Sequence, residues 1–182
     1  MSGGIIKNSM QNLPSFVKVT VFVLDMDGVL TDGKLLLLPD QTQVRSMHIK
    51  DGYALQLAIK KGYTILVLSG STSEPATIRL QKLGLKHILM GVQNKRDTLL
   101  AWFKQHKISP EEVLYMGDDL PDWSAMQLCG IATCPVDAVS EIKSIAHYVS
   151  GLPGGEGCVR DVIEKVLQAR GDWQPTEGVI SQ

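Results

Sequence analysis

The sequence predicts an α/β fold, a three-layer sandwich with helices on both faces of a mostly parallel sheet. Three observations predict it. Short β-branched runs alternate with helical segments along almost the whole chain. The runs are apolar throughout, as in strands covered on both faces. The chemically capable side chains fall just after those runs, where parallel α/β sheets bind ligands.

Residues 1–16 read as a flexible N-terminal lead, 17–170 as one domain and 171–182 as a C-terminal tail. The first strand is predicted over 17–24 (VKVTVFVL), stopping at Asp25, Asp27 and Gly28. Residues 35–38 and 43–49 flank Pro39-Asp40-Gln41-Thr42 as a β-hairpin. Asp51 is the expected N-cap of a helix over 52–61, with Leu55, Ala58 and Ile59 on one face and Gly62 as its stop. A second buried strand, 64–68 (TILVL), ends at Ser69-Gly70. Pro75 suits the first turn of a helix ending near Leu83-Gly84. A short strand at 87–90 precedes Asn94, the expected cap of a helix over 95–106. Strand 113–116 ends at Gly117-Asp118-Asp119, and a helix follows over 123–128. Strand 131–133, helix 139–146 and strand 147–149 continue the alternation. Gly154-Gly155-Glu156-Gly157 is a loop before a last helix over 159–169. Together these elements make a Rossmann-like architecture, with a β-hairpin insertion.

Composition sets broad limits. The chain has 182 residues, enough for one domain with a sizeable core. A net charge of -1 gives no electrostatic reason to expect nucleic acid or a membrane surface. Aromatics at 5% argue against a base-stacking platform. No stretch approaches the apolar length of a membrane span, and no signal-peptide pattern opens the chain. Cys129, Cys134 and Cys158 form neither a disulfide framework nor a zinc set, so a reducing cytoplasm is expected.

Asp25 and Asp27 follow the first strand, Ser69 the second, and Lys95 the third. Asp118, Asp119 and Asp122 follow the fourth. All therefore fall at one rim of the sheet. Like charges about 4 Å apart repel by about 1–4 kcal/mol per pair, depending on local dielectric. A divalent cation and a lysine would relieve that, and hard oxygen donors suit Mg2+. Taken singly, each residue could be a turn acid, a helix cap or a solvated charge. The four elements in order are what carry the reading.

Those elements are Asp25-Met26-Asp27-Gly28-Val29-Leu30-Thr31-Asp32, Ser69-Gly70, Lys95, and Gly117-Asp118-Asp119-Leu120-Pro121-Asp122. This constellation resembles the haloacid dehalogenase superfamily of phosphotransferases. The resemblance implies that Asp25 is the nucleophile and forms an aspartyl-phosphate. Asp27 would act as acid and then base, and its crowded acidic surroundings are expected to raise its pKa. Asp25, Asp118 and the carbonyl of Asp27 would hold Mg2+, with Asp119 and Asp122 supporting it. Ser69 and Lys95 would hold and neutralise the phosphoryl group.

Gly33 to Lys50 offers room for a hairpin, and Gly70 to Lys95 for a helix and a strand, so the chain resembles the capless branch. That branch implies a homotetramer in which neighbours wall the site. Lys50-Asp51-Gly52-Tyr53 and Gly154-Gly155-Glu156-Gly157-Cys158-Val159-Arg160 make it most similar to the 3-deoxy-D-manno-octulosonate 8-phosphate phosphatases. The implied substrate is that sugar-acid phosphate, a lipopolysaccharide precursor. Candidate substrate-binding residues are Thr31, Gly70, Ser71, Arg79, Lys82 and Arg160. Those enzymes usually carry Gly-Arg where this chain has Gly70-Ser71. The departure keeps nonulosonate 9-phosphates open as an alternative. Two other classes fit the sequence less well. A signalling receiver domain needs an aspartate after the third strand, and Met90-Gly91 supplies none. A catalytically silent binding member would lack Asp25, Asp27 or the lysine, and this chain has all three.

Overall fold

The computed structural model describes residues 15–174, 178 and 179. Among these, six strands form one parallel sheet: β1 (Val21–Leu24), β4 (Thr64–Leu68), β5 (His87–Leu89), β6 (Val113–Met116), β7 (Ile131–Cys134) and β8 (Tyr148–Val149). Their spatial order is β5-β4-β1-β6-β7-β8. A separate two-stranded antiparallel ribbon, β2 (Leu36–Leu37) with β3 (Gln43–Val44), is the expected hairpin. Five α-helices connect the strands, α1 (Ile49–Lys60), α2 (Glu74–Lys82), α3 (Lys95–His106), α4 (Trp123–Met126) and α5 (Ser140–Ile145), and α6 (Cys158–Arg170) follows β8.

The strand period of two sorts the core into two faces. Phe22 and Leu24 of β1 pack with Ile65, Val67, Leu114 and Met116 under α1, α2 and α6. Val21 and Val23 face the other way, with Leu66, Leu68, Val113 and Tyr115 under α3, α4 and α5. These are the three predicted layers. β1 lies centrally, between β4 and β6, so the chain crosses over on either side of it. That reversal opens a crevice beyond its carboxyl end.

Several boundaries differ from the sequence reading. The first strand begins at Val21, and Phe16–Lys18 form a 3-10 turn instead. A strand needs partners, and pairing with β4 and β6 starts at Val21, opposite Thr64 and Val113. Further back, Arg170 Nη1 donates to the carbonyls of Val17 and Val19 (2.9 and 3.2 Å). Helix α1 begins earlier than expected, because His48 Nδ1 accepts the N–H of Lys50 (3.2 Å) and caps it. Asp51 instead caps α6, its Oδ1 accepting the N–H of Arg160 (2.7 Å). Residues 171–174, read as tail, pack on the body. Tyr63 donates to Asp172 (2.8 Å), and the Trp173 ring meets Tyr53 edge-on (6.5 Å between centroids). The lead at 1–16 lies outside the described residues except for Ser15 and Phe16.

Candidate active site

Asp25 follows β1 directly. Its Oδ1 accepts the N–H of Met26 (2.7 Å), fixing the carboxylate at the mouth of the strand. Residues Met26–Leu30 then make one wide turn, closed by Thr31 N–H to the Met26 carbonyl (3.0 Å). Gly28 sits in that turn at φ +88°, where a side chain is strained. A Cβ there would also run into the carboxylate of Asp118. The glycine is therefore what lets the loop after β1 close against the loop after β6.

Asp25, Asp27, Ser69, Gly70, Ser71, Lys95, Asp118, Asp119 and Asp122 share one cleft of about 320 Å³. All five predicted carboxylates, the serine and the lysine are brought together. Lys95, at the start of α3, is buried and lies 2.9 Å from Asp25 Oδ1 and 2.7 Å from Asp122 Oδ1. Tyr115 O–H also donates to Asp122 Oδ1 (2.6 Å), and the N–H of Asp118 reaches Oδ2 (3.3 Å). Asp122 thus spends both oxygens on protein donors and anchors Lys95. Burial lowers the Lys95 pKa, but the charges of Asp122 and Asp25 raise it further, so the net shift is upward. The lysine stays a cation.

Carboxylate oxygens of Asp25, Asp118 and Asp122 lie within 4.8 Å of one another. Asp118 Oδ1 is buried with no hydrogen-bond partner among the described residues. Burial and then the charge of Asp122 push both Asp25 and Asp118 up to about 7, against the pull of Lys95. Asp119 adds to the push on Asp118. Two hard oxygen donors whose ionisation the protein opposes, one with an orphaned oxygen, fit a divalent cation. With Asp122 already engaged, Asp25 and Asp118 are the side chains placed to hold it.

Asp27 departs from expectation. Burial acts to raise its pKa, but hydrogen bonds from Arg45, Ser71 and Thr31 prevail and hold it below the usual carboxylate value. The acidic neighbours were expected to raise it; the arginine from the hairpin reverses the sign. Ser71 donates to Asp27 Oδ2 (2.6 Å), and its N–H donates to Ser69 Oγ (3.2 Å).

The remaining candidates have other partners. Thr31 is fully buried, and its hydroxyl holds the loop, accepting from the N–H of Gly28 and Gly33. Asp119 lines the cleft but caps the turn after it, accepting the N–H of Leu120 (2.8 Å). Lys82 is exposed on α2. Arg79 borders a larger cleft of about 530 Å³, between the hairpin and α2. No carboxylate lines that cleft, so it offers neither nucleophile nor cation ligand. Arg160 is held within its own chain, over the rings of Tyr53 (5.7 Å) and Trp173 (5.3 Å) and beside Glu164 (3.4 Å). The glycine run before it packs behind the loop that follows β1. Gly155 N–H donates to the Val29 carbonyl (2.9 Å), and a Cβ on Gly154 would strike the Gly28 carbonyl. Arg45 and Tyr115 escaped the sequence reading. Tyr115 sits in an apolar strand run like any core tyrosine, and Arg45 sits in the expected hairpin, where nothing in the sequence marks one position as inward.

A parallel α/β sheet carrying an aspartate, a lysine and a cation-ready acidic pair beyond its central strands defines a class of phosphoryl-transfer hydrolases. Residues 78–159 match the haloacid dehalogenase-like hydrolase family. The chain is 30% identical over 160 residues to the 3-deoxy-D-manno-octulosonate 8-phosphate phosphatase KdsC of Escherichia coli strain K12, covering 88% of this chain and 85% of that protein. The chain belongs to the haloacid dehalogenase-like hydrolases and is a phosphatase. Within that class it is similar to the KdsC proteins. The crystal structure of the octulosonate phosphatase from Moraxella catarrhalis, in complex with magnesium, phosphate and KDO, matches with a TM-score of 0.85. Identity there is 28%, over 87% of this chain and 91% of that one. A hypothetical protein from Xanthomonas campestris matches with a TM-score of 0.86 at 32% identity, over 95% of both chains.

Proposed function

We propose that the chain hydrolyses 3-deoxy-D-manno-octulosonate 8-phosphate through an aspartyl-phosphate on Asp25. The observation that carries this reading is the pairing of Asp25 with Lys95 at 2.9 Å beside the unpartnered Oδ1 of Asp118. Asp25 and Asp118 would hold Mg2+, with the Asp27 carbonyl as a further donor. The cation would neutralise charge on the phosphoryl oxygens and keep Asp25 ionised.

An Asp25 oxygen attacks phosphorus while Asp27 protonates the departing sugar oxygen. Water then attacks the same phosphorus. Asp27 takes its proton, and the Asp25 carboxylate returns as phosphate leaves. Asp27 acquires the first proton once the phosphate dianion lies beside it, since that charge opposes ionisation. Lys95 offsets charge on nucleophile and phosphoryl group, and Ser69 with the N–H groups near Gly70 and Ser71 cradles the oxygens.

The likeness to octulosonate phosphatases supports this substrate. Ser71 keeps nonulosonate 9-phosphates as the second reading, because its hydroxyl serves Asp27 and no arginine follows Gly70. The cleft is open, and the hairpin exposes Leu36 (62%) and Leu37 (68%), which supports a homotetramer built through the hairpins. A phosphorylated sugar acid cannot cross a bilayer unaided, which supports a cytoplasmic enzyme. Among the described residues no helix is long and apolar enough to cross a membrane.

The test is phosphate release from octulosonate 8-phosphate, nonulosonate 9-phosphates and simple sugar phosphates, with and without Mg2+. Octulosonate 8-phosphate should give the highest kcat/KM, and Asp25→Asn should abolish turnover. A preference for a nonulosonate would reassign the substrate, and full activity of Asp25→Asn would sink the mechanism.

A further inference from the structure

The hairpin sends one side chain inward. Arg45 follows β3, and its side chain is only 6% exposed, although Val44 and Ser46 on either side are exposed. Its Nε donates to Asp27 Oδ1 at 2.7 Å, and its Nη2 donates to Oδ2 at 3.2 Å. The pairing is a fork on a fork, which fixes the plane of the carboxylate as well as its place. Ser71 adds a donor to Oδ2 at 2.6 Å, and Thr31 adds one to Oδ1 at 3.3 Å. Asp27 is therefore gripped from the hairpin, from the loop after β4 and from its own loop.

An acid-base group in a two-step displacement must face the leaving oxygen first and the attacking water second. Its rotamer matters as much as its protonation, because proton transfer needs the heavy atoms within hydrogen-bond reach. We propose that Arg45 is a positioning residue for the reaction, holding the Asp27 carboxylate in the plane from which it gives and takes the proton. Arg45 makes and breaks no covalent bond. The phosphorus–ester bond breaks as the phosphorus–Asp25 bond forms, and the proton passes from Asp27 to the ester oxygen. The inference rests on the acid-base role given to Asp27 above.

Two kinds of ester separate positioning from other roles. An alkyl sugar phosphate needs a proton on its leaving oxygen, whereas p-nitrophenyl phosphate releases a stable phenolate without one. The quantity to compare is kcat/KM, which reports the first displacement. Arg45→Gln should lower it about 30-fold or more for the alkyl ester and about 3-fold or less for the aryl ester, because general acid catalysis contributes about 100-fold or more. Arg45→Lys keeps the charge but loses the fork, so it should recover little of the alkyl activity. Ser71→Ala removes a donor from the other side and should show the same bias more weakly.

Equal losses on both esters would overturn the inference, as would full rescue by Arg45→Lys or a raised KM at unchanged kcat. Asp27→Asn, run in parallel, tells the two claims apart. If it too shows no leaving-group bias, the acid role of Asp27 fails. If it shows the bias and Arg45→Gln does not, the clamp alone fails. Should Arg45→Gln lose its thermal transition, Arg45→Lys and Ser71→Ala still decide the matter.

Discussion

Replacing Asp51 by asparagine should flatten the fall in stability between acid and neutral pH. Asp51 is 2% exposed, and its Oδ2 has no hydrogen-bond partner among the described residues. Burial pushes it up to about 6 from 3.8, against the pull of the Arg160 N–H, His48 and the Gly157 N–H. The folded protein thus holds this proton more tightly than the unfolded chain does. The contribution to stability is full at acid pH and is lost as pH rises through about 6. A shift of about 2 units corresponds to about 3 kcal/mol, of which about 2.5 kcal/mol falls between about pH 4 and pH 8. Urea unfolding of wild type and Asp51→Asn across that range isolates the term, because the other titrating groups cancel in the difference. Wild type should lose about 2.5 kcal/mol more than the variant over that span. At neutral pH the variant gains that term but loses about 1–2 kcal/mol to an unpartnered amide donor, leaving it about 0.5–1.5 kcal/mol more stable than wild type. Parallel pH profiles for the two proteins would refute the reasoning.

Three further predictions follow from single contacts. Gly28→Ala should leave the circular dichroism spectrum intact but lower both Mg2+ affinity by calorimetry and phosphate release, each by about 100-fold or more, because the new Cβ displaces Asp118. Unchanged Mg2+ affinity would argue against the Asp118 assignment. Tyr115→Phe should cost about 1–3 kcal/mol in urea unfolding, since Asp122 loses a buried donor. Trp173→Ala should cost about 1–2 kcal/mol through its contacts with Tyr53 and the Arg160 guanidinium, and a negligible loss would return residue 173 to the tail.

Much of this was legible because the relevant physics is local. Lys95–His106 and Val113–Met116 form as read, since their caps and apolar runs lie within a few residues. The five carboxylates, Ser69 and Lys95 converge because each follows a strand of one parallel sheet, which order alone implies. Where a residue's partner lies far along the chain, the reading fell short. Asp51 looks like the cap of the helix that follows it, yet it caps a helix more than a hundred residues later. Asp27 looks crowded by acids, and the decisive neighbour is Arg45 from the hairpin. Arg160, a candidate for the substrate, also lies over the rings of Tyr53 and Trp173, contacts that its motif does not announce. Long-range pairings of this kind leave no periodic trace in a single sequence.

The backing of the loop after β1 by Gly154 and Gly155 bears on how the chain comes off the ribosome. Asp25 emerges early, but β1 must wait for β4 on one side and β6 on the other, and its loop waits for the glycines near the chain's end. Synthesis runs far slower than local folding, so most of the chain is exposed before the first aspartate has its surroundings. Nascent chains stopped after α3 therefore hold Asp25 and Lys95 without Asp118, and they should neither bind a cation nor turn over an ester. Phosphate release should begin only once Gly154 and Gly155 have closed behind that loop, rather than accumulating along the way.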